Sequence, residues 1–309
     1  MLGRRGSFVA LLAAAIALSG LAACPERALA PPEFTDGGLR DLSAIPDLAS
    51  YDGFDMATLR PNPCPAGTEF IYTIDEDTTL SRFNPMTSQF FDVGKINCPT
   101  LLGSNPNSMA INRDGDGWVN FDSGELFKLT TATGTCTSTS YAPGQGGLTA
   151  FGMSFAQNSP GSLDETLFVA DTAQGASTSL GTINLTNFKL ATQIPIIGGI
   201  QPELTGDDDA NLWGFFPSDS PPRIARIDKK LGTLDRVHPL PFLNGNPQAW
   251  GVAAYRGDFY VFLQRDVDAS TNIYRVDGTT GTLSTAVAST GRRIVGVGVA
   301  TCAGDSGLE

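Results

Sequence analysis

One twelve-residue pattern recurs five times along this 309-residue chain. The copies align without a gap and occupy residues 79–90, 125–136, 179–190, 223–234 and 272–283. In each copy, apolar and polar residues alternate over about five positions, and a polar turn then leads into a second stretch; this pattern is typical of a β-hairpin. The repeat therefore predicts a chain that folds mainly as antiparallel β-structure.

The hairpins belong to a longer unit. Each is preceded by an apolar or aromatic segment, and four of these segments follow a further stretch of small residues, so that a complete unit contains four strands. Equivalent positions of successive hairpins lie 44 to 54 residues apart, at Arg82, Lys128, Thr182, Arg226 and Arg275. A period of about 40 to 50 residues with four strands per unit is the pattern of β-propeller blades. The sequence predicts an all-β fold of this kind.

The two ends of the repeat region determine the number of blades. The first unit lacks its leading strand, whereas residues 294–300 (IVGVGVA) follow the last hairpin as a run of small and β-branched residues. If this run joins the first unit, five complete blades close into a ring with no exposed sheet edge between them. An open solenoid would need a terminal cap, and a six-bladed ring would need about 45 more residues. We predict a five-bladed β-propeller over residues 64–302, closed by its C-terminal strand.

The N-terminal segment predicts export. Residues 1–23 combine Arg4 and Arg5 with a short apolar run and a small-residue end, as secretory signal peptides do. The apolar run is shorter than the about 20 residues of a membrane-spanning helix, which disfavours a retained anchor. The sequence LAAC resembles the bacterial lipobox, and this resemblance implies that Cys24 becomes the lipidated first residue. Residues 24–63 then form a disordered tether rich in Pro and Asp, and residues 303–309 a disordered tail.

Charge and lipidation together suggest the partners. The chain carries a formal net charge of −12, and loss of the signal peptide, which contains two arginines and no acid, makes it more negative. A nucleic-acid partner is disfavoured because no basic patch with interleaved aromatic residues occurs. A lipidated Cys24 implies the membrane as partner. Pro25 is not the Asp that retains lipoproteins at the inner membrane in some bacteria, so we expect a monomeric outer-membrane lipoprotein facing the periplasm or the exterior.

Four cysteines remain in the predicted domain, and four cysteines allow three pairings. Cys64 precedes the first strand and Cys302 follows the last, so ring closure predicts a disulfide between them. Cys98 and Cys136 pair by elimination, although a link between blades and a hairpin turn are expected on opposite faces of a propeller. Two free thiols remain the alternative. Because no Cys-x-x-Cys or Cys/His spacing occurs, we expect no metal site and no cofactor.

No catalytic arrangement emerges from the sequence. His238 is the single histidine, and it falls on a predicted outermost strand, away from the channel. Two acidic runs, at residues 114–116 and 207–209, resemble calcium loops but lack the later ligands of such a loop, and we interpret them as turns. We therefore predict no catalytic residue.

Two groups of charged residues are candidates for binding. Glu203 begins a predicted innermost strand, where it would face the channel, and Arg292 and Arg293 begin another and could form an ion pair with it. The loops between the second and third strands share one face of the ring and could bind cations or a basic partner, although a solvated surface is the simpler interpretation. The candidate acids in these loops are Asp75, Asp77, Asp122, Asp171 and Asp266, with Glu76, Asp219 and Asp268 beside them.

The spacing of Arg275, Asp277, Thr280 and Gly281 resembles that of kelch-like and NHL-like propeller repeats. The order of signal peptide, lipobox, tether and propeller is similar to that of outer-membrane lipoproteins of myxobacterial type. The resemblance implies the fold and supplies no catalytic residues. We expect a membrane-anchored binding or scaffolding module of the cell envelope with a protein or glycan partner. The alternative is a glycan-active enzyme, a glycosidase or lyase, with carboxylates at the channel.

Overall fold

The computed structural model describes residues 64–101, 103–172 and 178–303. The predicted signal peptide, Cys24 and the tether lie outside the described residues, as do residues 304–309. Within these residues, two short 3-10 helices, Gln145–Gly147 and Pro241–Leu243, lie in links between blades. No helix within the described residues has the length and hydropathy to span a membrane.

In the described part of the chain, twenty strands form five antiparallel sheets of four strands. The sheets are β20-β1-β2-β3, β4-β5-β6-β7, β8-β9-β10-β11, β12-β13-β14-β15 and β16-β17-β18-β19, which we call blades 1 to 5. The strands are β1 Ile71–Asp75, β2 Thr79–Asn84, β3 Gln89–Lys95, β4 Pro106–Ile111, β5 Asp116–Phe121, β6 Leu126–Thr130, β7 Thr135–Ser138, β8 Phe151–Gln157, β9 Glu165–Asp171, β10 Ser179–Asn184, β11 Lys189–Pro195, β12 Glu203–Gly206, β13 Leu212–Phe216, β14 Arg223–Ile227, β15 Leu234–Pro239, β16 Pro247–Tyr255, β17 Asp258–Arg265, β18 Asn272–Asp277, β19 Leu283–Val287 and β20 Ile294–Gly298.

Hydrophobic packing follows the boundaries between blades. Five buried clusters occur among the described residues, and each combines side chains from two neighbouring blades. Blades 1 and 2 share one that includes Leu80 and Met109, for example, and blades 5 and 1 share another that includes Phe83 and Phe262. The second strands of the blades are buried on both faces because each blade packs between two others, whereas the third strands retain exposed positions such as Lys128 and Arg275. The predicted five-bladed propeller is confirmed.

Ring closure follows the predicted route. Strand β20 pairs antiparallel with β1, with Gly298 opposite Tyr72 and Gly296 opposite Ile74. The first strands of the five blades, β20, β4, β8, β12 and β16, contact one another in a closed circle around the central channel. Their close approach requires glycine at Gly206, where an added Cβ would collide with the backbone oxygen of Phe155 in the next blade.

Two disulfides join the cysteines that the sequence analysis paired. Cys64 bonds to Cys302, with Cα atoms 5.8 Å apart, and Cys98 bonds to Cys136, with Cα atoms 4.7 Å apart. The expectation that Cys98 and Cys136 lie on opposite faces is wrong. The Asn97 N–H donates to the oxygen of Gly134, 3.2 Å away, so the end of one outer strand lies beside the hairpin turn of the next blade. The twist that accumulates across a four-stranded sheet explains this contact, because it rotates the outer strand away from the inner one.

One end of the channel is covered by residues 299–303, which we call the closing segment. All five residues are buried. The Thr301 hydroxyl donates to Glu165 of blade 3, and the Cys302 sulfur lies 3.9 Å from the backbone oxygen of Arg113 in blade 2. We call this end the sealed face; it carries the loops between first and second strands, including residues 112–115 and 207–211. Ala303, which the sequence analysis placed in the tail, therefore belongs to the folded domain.

Candidate binding site at the open channel mouth

The opposite end of the ring, which we call the open face, carries the loops between second and third strands, including residues 76–78, 122–125 and 266–271. The acidic residues predicted to share this face do lie there. Most of their carboxylates are neutralised within their own blade, so they form separate ion pairs rather than a single acidic surface. The pairs are Asp77 with Lys95 (2.6 Å), Asp219 with Arg223 (2.7 Å), Asp268 with Arg265 (2.8 Å) and Glu76 with Arg293 (3.1 Å).

The other candidate acids are held by their surroundings. Asp122 accepts a hydrogen bond at each carboxylate oxygen from Asn105, at 3.0 and 3.1 Å. Asp171 is buried at the end of β9. Asp266 follows β17, where its backbone N–H donates to the oxygen of Asn246 at 3.0 Å. These positions separate the acids around the ring.

The predicted ion pair between Glu203 and the two arginines is wrong. Arg292 instead reaches the carboxylates of Asp75 (3.0 Å) and Asp92 (2.8 Å), and the Ser81 hydroxyl at 3.1 Å. Burial raises the pKa of Asp75 to about 6, although the charge of Arg292 opposes this shift. This network links the segment before β20 to the other three strands of blade 1.

Arg293 is likewise turned away from Glu203. Its guanidinium pairs with Glu76 and donates to the backbone oxygen of Gln248, 2.9 Å away. Both arginines therefore make their contacts where the chain passes from blade 5 to blade 1. The error has a simple cause: β20 and β12 belong to blades that are not neighbours in the ring.

Glu203 is the buried acid of the channel. It begins β12 and is 2% exposed. Its Oε1 accepts hydrogen bonds from the Ser108 hydroxyl at 2.5 Å and from the Met153 N–H at 3.2 Å. Burial raises the pKa of this carboxyl to about 8, and the hydrogen bonds from Ser108 and from the backbone of Met153 and Leu204 only partly oppose that shift. Glu203 is therefore mostly protonated and neutral at neutral pH.

A cavity of about 200 Å³ opens beside Glu203 at the centre of the open face. Residues from all five blades line it. Blade 1 contributes Val295, blade 2 Pro106, Asn107 and Asp122, blade 3 Thr172, blade 4 Glu203, and blade 5 Gln248, Ala249 and Trp250. We call this cavity the open mouth. Such a polar opening at the axis of a ring is a site where a small ligand contacts several blades at once.

Sequence reasoning identified Glu203 but missed most of the groups around it. Ser108, Asn107 and Trp250 lie on the first strands of blades 2 and 5, and each of these strands is predicted to face the channel. Position at the start of a first strand was therefore the available signal. It pointed to Glu203 because a carboxylate at such a position is conspicuous, whereas Ser, Asn and Trp are ordinary strand residues.

The other sequence motifs lie away from the open mouth. His238 is on β15, the outermost strand of blade 4, and its ring stacks on Trp213 with centroids 6.1 Å apart. Asp207 forms a turn on the sealed face and accepts hydrogen bonds from the Asn211 N–H (2.8 Å) and the Trp213 indole (2.7 Å). Within the described parts of the chain, no group of three or more His, Cys, Asp or Glu side chains is placed to hold a metal ion.

Several solved structures are similar to this chain at low sequence identity. A chain of a nidogen/laminin complex aligns over 74% of this chain and 80% of that chain, with 13% identity and a TM-score of 0.49. A streptogramin B lyase aligns over 68% of this chain and 61% of its own, with 19% identity and a TM-score of 0.41. Virginiamycin B lyase from Staphylococcus aureus aligns over 72% of both chains, with 13% identity and a TM-score of 0.41.

No family model and no curated protein matches the chain. At these identities, and with TM-scores below 0.5, the similarities carry no argument about this chain. The function has to be inferred from the site itself.

Proposed function

We propose that this protein is a membrane-anchored binding module of the bacterial cell envelope that takes its ligand at the open mouth. The observation that carries the proposal is the buried carboxyl of Glu203 beside a cavity lined from all five blades. Burying an acid costs stability unless it is well hydrogen-bonded, and the hydrogen bonds from Ser108 and from the backbone only partly offset the effect of burial on this carboxyl. A purely structural ring would gain stability from an apolar side chain at this position.

The anchor is supported by the sequence. The signal-like segment of residues 1–23 ends in LAAC, so Cys24 is the proposed site of lipidation. Two disulfides in the folded domain favour an oxidising compartment outside the cytoplasm. Several acyl chains at about 0.8 kcal/mol per buried methylene are sufficient for stable attachment to a bilayer.

Binding is a better account of the open mouth than glycan hydrolysis. Hydrolysis of a glycosidic bond needs two carboxyl groups that act on it together. Glu203 and Asp122 both line the cavity, but both oxygens of Asp122 are occupied by Asn105. A carboxylate held in that way is poorly available as a base or nucleophile.

The anchor is tested by Cys24→Ala. Membrane fractions of cells producing the wild type should contain the protein, whereas the variant should be released or remain unprocessed. Ser19→Ala, within the signal segment, is the matched control and should fractionate as the wild type does. If Cys24→Ala stays with the membrane like the wild type, the lipid anchor is wrong.

The position of the ligand site is tested by filling the open mouth. In the Cys24→Ala background, Val295→Trp should reduce co-sedimentation with purified envelope fragments, because Val295 lines the cavity. Met86→Trp adds a similar bulk at an exposed turn, 58% exposed, and should leave co-sedimentation unchanged. If the wild type co-sediments with the fragments and Val295→Trp does so equally, binding at the open mouth is refuted.

A further inference from the structure

The size of the open mouth restricts its ligand. At about 200 Å³ the cavity is smaller than the roughly 300 to 1,000 Å³ of sites for drug-sized ligands. A single six-membered ring with its substituents is the kind of group that such a volume accommodates. Longer ligands would have to enter by one end and leave the remainder in solvent above the open face.

Glu203 supplies a hydrogen-bond donor at this site. Its Oε1 already accepts from Ser108 and from the Met153 N–H, so the proton of the neutral acid resides on Oε2. A neutral carboxyl group of this kind donates to a hydroxyl or carbonyl oxygen, as an ionised one cannot.

Asn107 supplies the complementary acceptor. Its Nδ2 donates to the Asn120 Oδ1 at 3.2 Å and to the Phe151 oxygen at 3.1 Å, which uses both amide hydrogens and fixes the plane of the amide. The Oδ1 of Asn107 is left as an acceptor beside the cavity. The Thr172 hydroxyl also lines the cavity and is buried without a hydrogen-bond partner in the structure. The Glu203 donor, the Asn107 acceptor and the Thr172 hydroxyl together suit a ligand whose groups both donate and accept hydrogen bonds.

Trp250 supplies an apolar surface in the same cavity. It lines the open mouth and is partly buried against the apolar cluster between blades 4 and 5. A partly exposed indole offers a rigid flat face on which the C–H side of a ring can pack. One wall of the cavity is therefore flat and apolar, and its other walls are polar.

The electrostatics of the open mouth disfavour charged ligands. Glu203 and Asp122 are the titratable residues in its lining, and neither Lys nor Arg is among the described residues that line it. Asp122 opposes an anion, and its oxygens already accept two hydrogen bonds. Burial and hydrogen bonds, with no contribution from a neighbouring charge, set the pKa of Glu203. The nearby Arg293 is neutralised by Glu76.

We infer that the open mouth binds one neutral polyhydroxylated ring, either a free sugar or cyclic polyol or the terminal sugar of a glycan. The inference rests on the proposed function and specifies its ligand. The ring packs on Trp250 while its hydroxyl groups accept from Glu203 and donate to Asn107. Hydroxyl groups suit this site because each is both donor and acceptor.

Calorimetric titration of the mature chain with methyl glycosides of neutral hexoses and with inositol tests the ligand class. We expect at least one of them to bind, and Trp250→Ala to weaken binding by about tenfold or more, which corresponds to about 1.4 kcal/mol. Met86→Ala, at an exposed turn, is the matched control and should bind as the wild type does. Titration with a neutral oligosaccharide that carries the same terminal sugar distinguishes a glycan from a free ring as the ligand. If the oligosaccharide binds more tightly than the methyl glycoside, the ligand is the end of a glycan. If the two bind equally, the ligand is a free ring.

Glu203→Gln tests the role of the acid without removing its donor. Glutamine retains an oxygen for Ser108 and the Met153 N–H and presents an N–H in place of the acid proton. Because the pKa of Glu203 is about 8, wild-type affinity should fall as the pH rises through that value, while Glu203→Gln keeps its affinity. Parallel loss of affinity in both proteins would overturn the donor role of Glu203.

Failure of this inference is distinguishable from failure of the proposed function. If no neutral ring binds, or if only glucuronate or glucosamine binds, the inferred ligand class is wrong. The proposed function is refuted instead by envelope binding that persists in Val295→Trp. The two experiments use different probes, so either result stands independently of the other.

Discussion

The two ends of the central channel differ in how their polar groups are used. At the sealed face, the Glu165 carboxyl accepts hydrogen bonds from the Thr301 hydroxyl and, at 2.9 Å, from the Arg113 N–H, so both of its oxygens have partners. At the open face, the Glu203 Oε1 accepts hydrogen bonds from the Ser108 hydroxyl and the Met153 N–H. Burial raises the pKa of both acids. Glu165 begins a second strand and is bound by the closing segment, whereas Glu203 begins a first strand and lines the open mouth, where we propose that it serves a ligand.

The largest loss of stability should come from removing the segment that closes the sealed face. Deletion of residues 294–309 removes β20 and the closing segment, which leaves blade 1 with an unpaired strand edge at β1. We expect aggregation or loss of the folded monomer, measured by size-exclusion chromatography and circular dichroism. Deletion of residues 304–309 is the control and should have no effect. A soluble monomer after the longer deletion would show that closure is dispensable.

The next effect concerns the disulfide at the sealed end. Cys64→Ser with Cys302→Ser should lower the free energy of unfolding by about 5 kcal/mol, because the bond spans 238 residues and loop-closure entropy grows with loop length. Cys98→Ser with Cys136→Ser, which opens a span of 38 residues, is the matched control and should cost about 4 kcal/mol. Denaturant unfolding measures both. A larger loss for the second pair would contradict the entropic account.

A smaller effect, with a defined sign, should come from the open end. Folding raises the pKa of Glu203 from 4.5 to about 8, so the folded state binds more protons than the unfolded state between these values. Its contribution to stability is complete below about pH 4.5 and is lost as the pH rises through about 8. Glu203→Gln should therefore be a few kcal/mol more stable than wild type above pH 8, and the difference should shrink on acidification.

Denaturant midpoints of the two proteins across this pH range measure the difference. Asp75 and Glu165, whose pKa values are also raised by burial, titrate in both proteins and cancel in the comparison. A pH-independent difference would show that Glu203 is already ionised in the folded protein.

The smallest effect belongs to the exposed ion pairs around the open face. Asp77→Ala removes the partner of Lys95, and both side chains are more than half exposed. Pairs of this kind contribute about 0 to 1 kcal/mol, so the thermal midpoint should hardly change. A loss of stability as large as that of the disulfide variants would mean that these ion pairs hold the loops of the open face in place.

The fold could be predicted because its information is local and repeated. Each hairpin shows its alternation within a dozen residues, and residues 294–300 complete the one unit that lacks a strand. Cys64 and Cys302 mark the same joint. The number of blades, the closure and the pairing follow from counting along the chain.

The site could not be predicted in the same way because its contacts join different blades. Ser108 and Glu203 are 95 residues apart, and their hydrogen bond depends on how far one inner strand is displaced along the axis relative to another. No sequence pattern encodes that displacement. The same limitation led to the wrong partner for Arg292 and to the wrong faces for Cys98 and Cys136, since blade order and blade twist decide both contacts.

The pairing of β20 with β1 also sets the timing of folding. During synthesis, β1 leaves the ribosome more than two hundred residues before its partner, an interval of roughly ten seconds or more at typical rates of about 5 to 20 residues per second. Throughout that interval the backbone groups on one edge of β1 have no strand to bind, and the closing segment is not yet available to cover the channel. Blade 1 therefore cannot be completed until residues 294–303 emerge, and we expect the domain to depend on a holding chaperone until then.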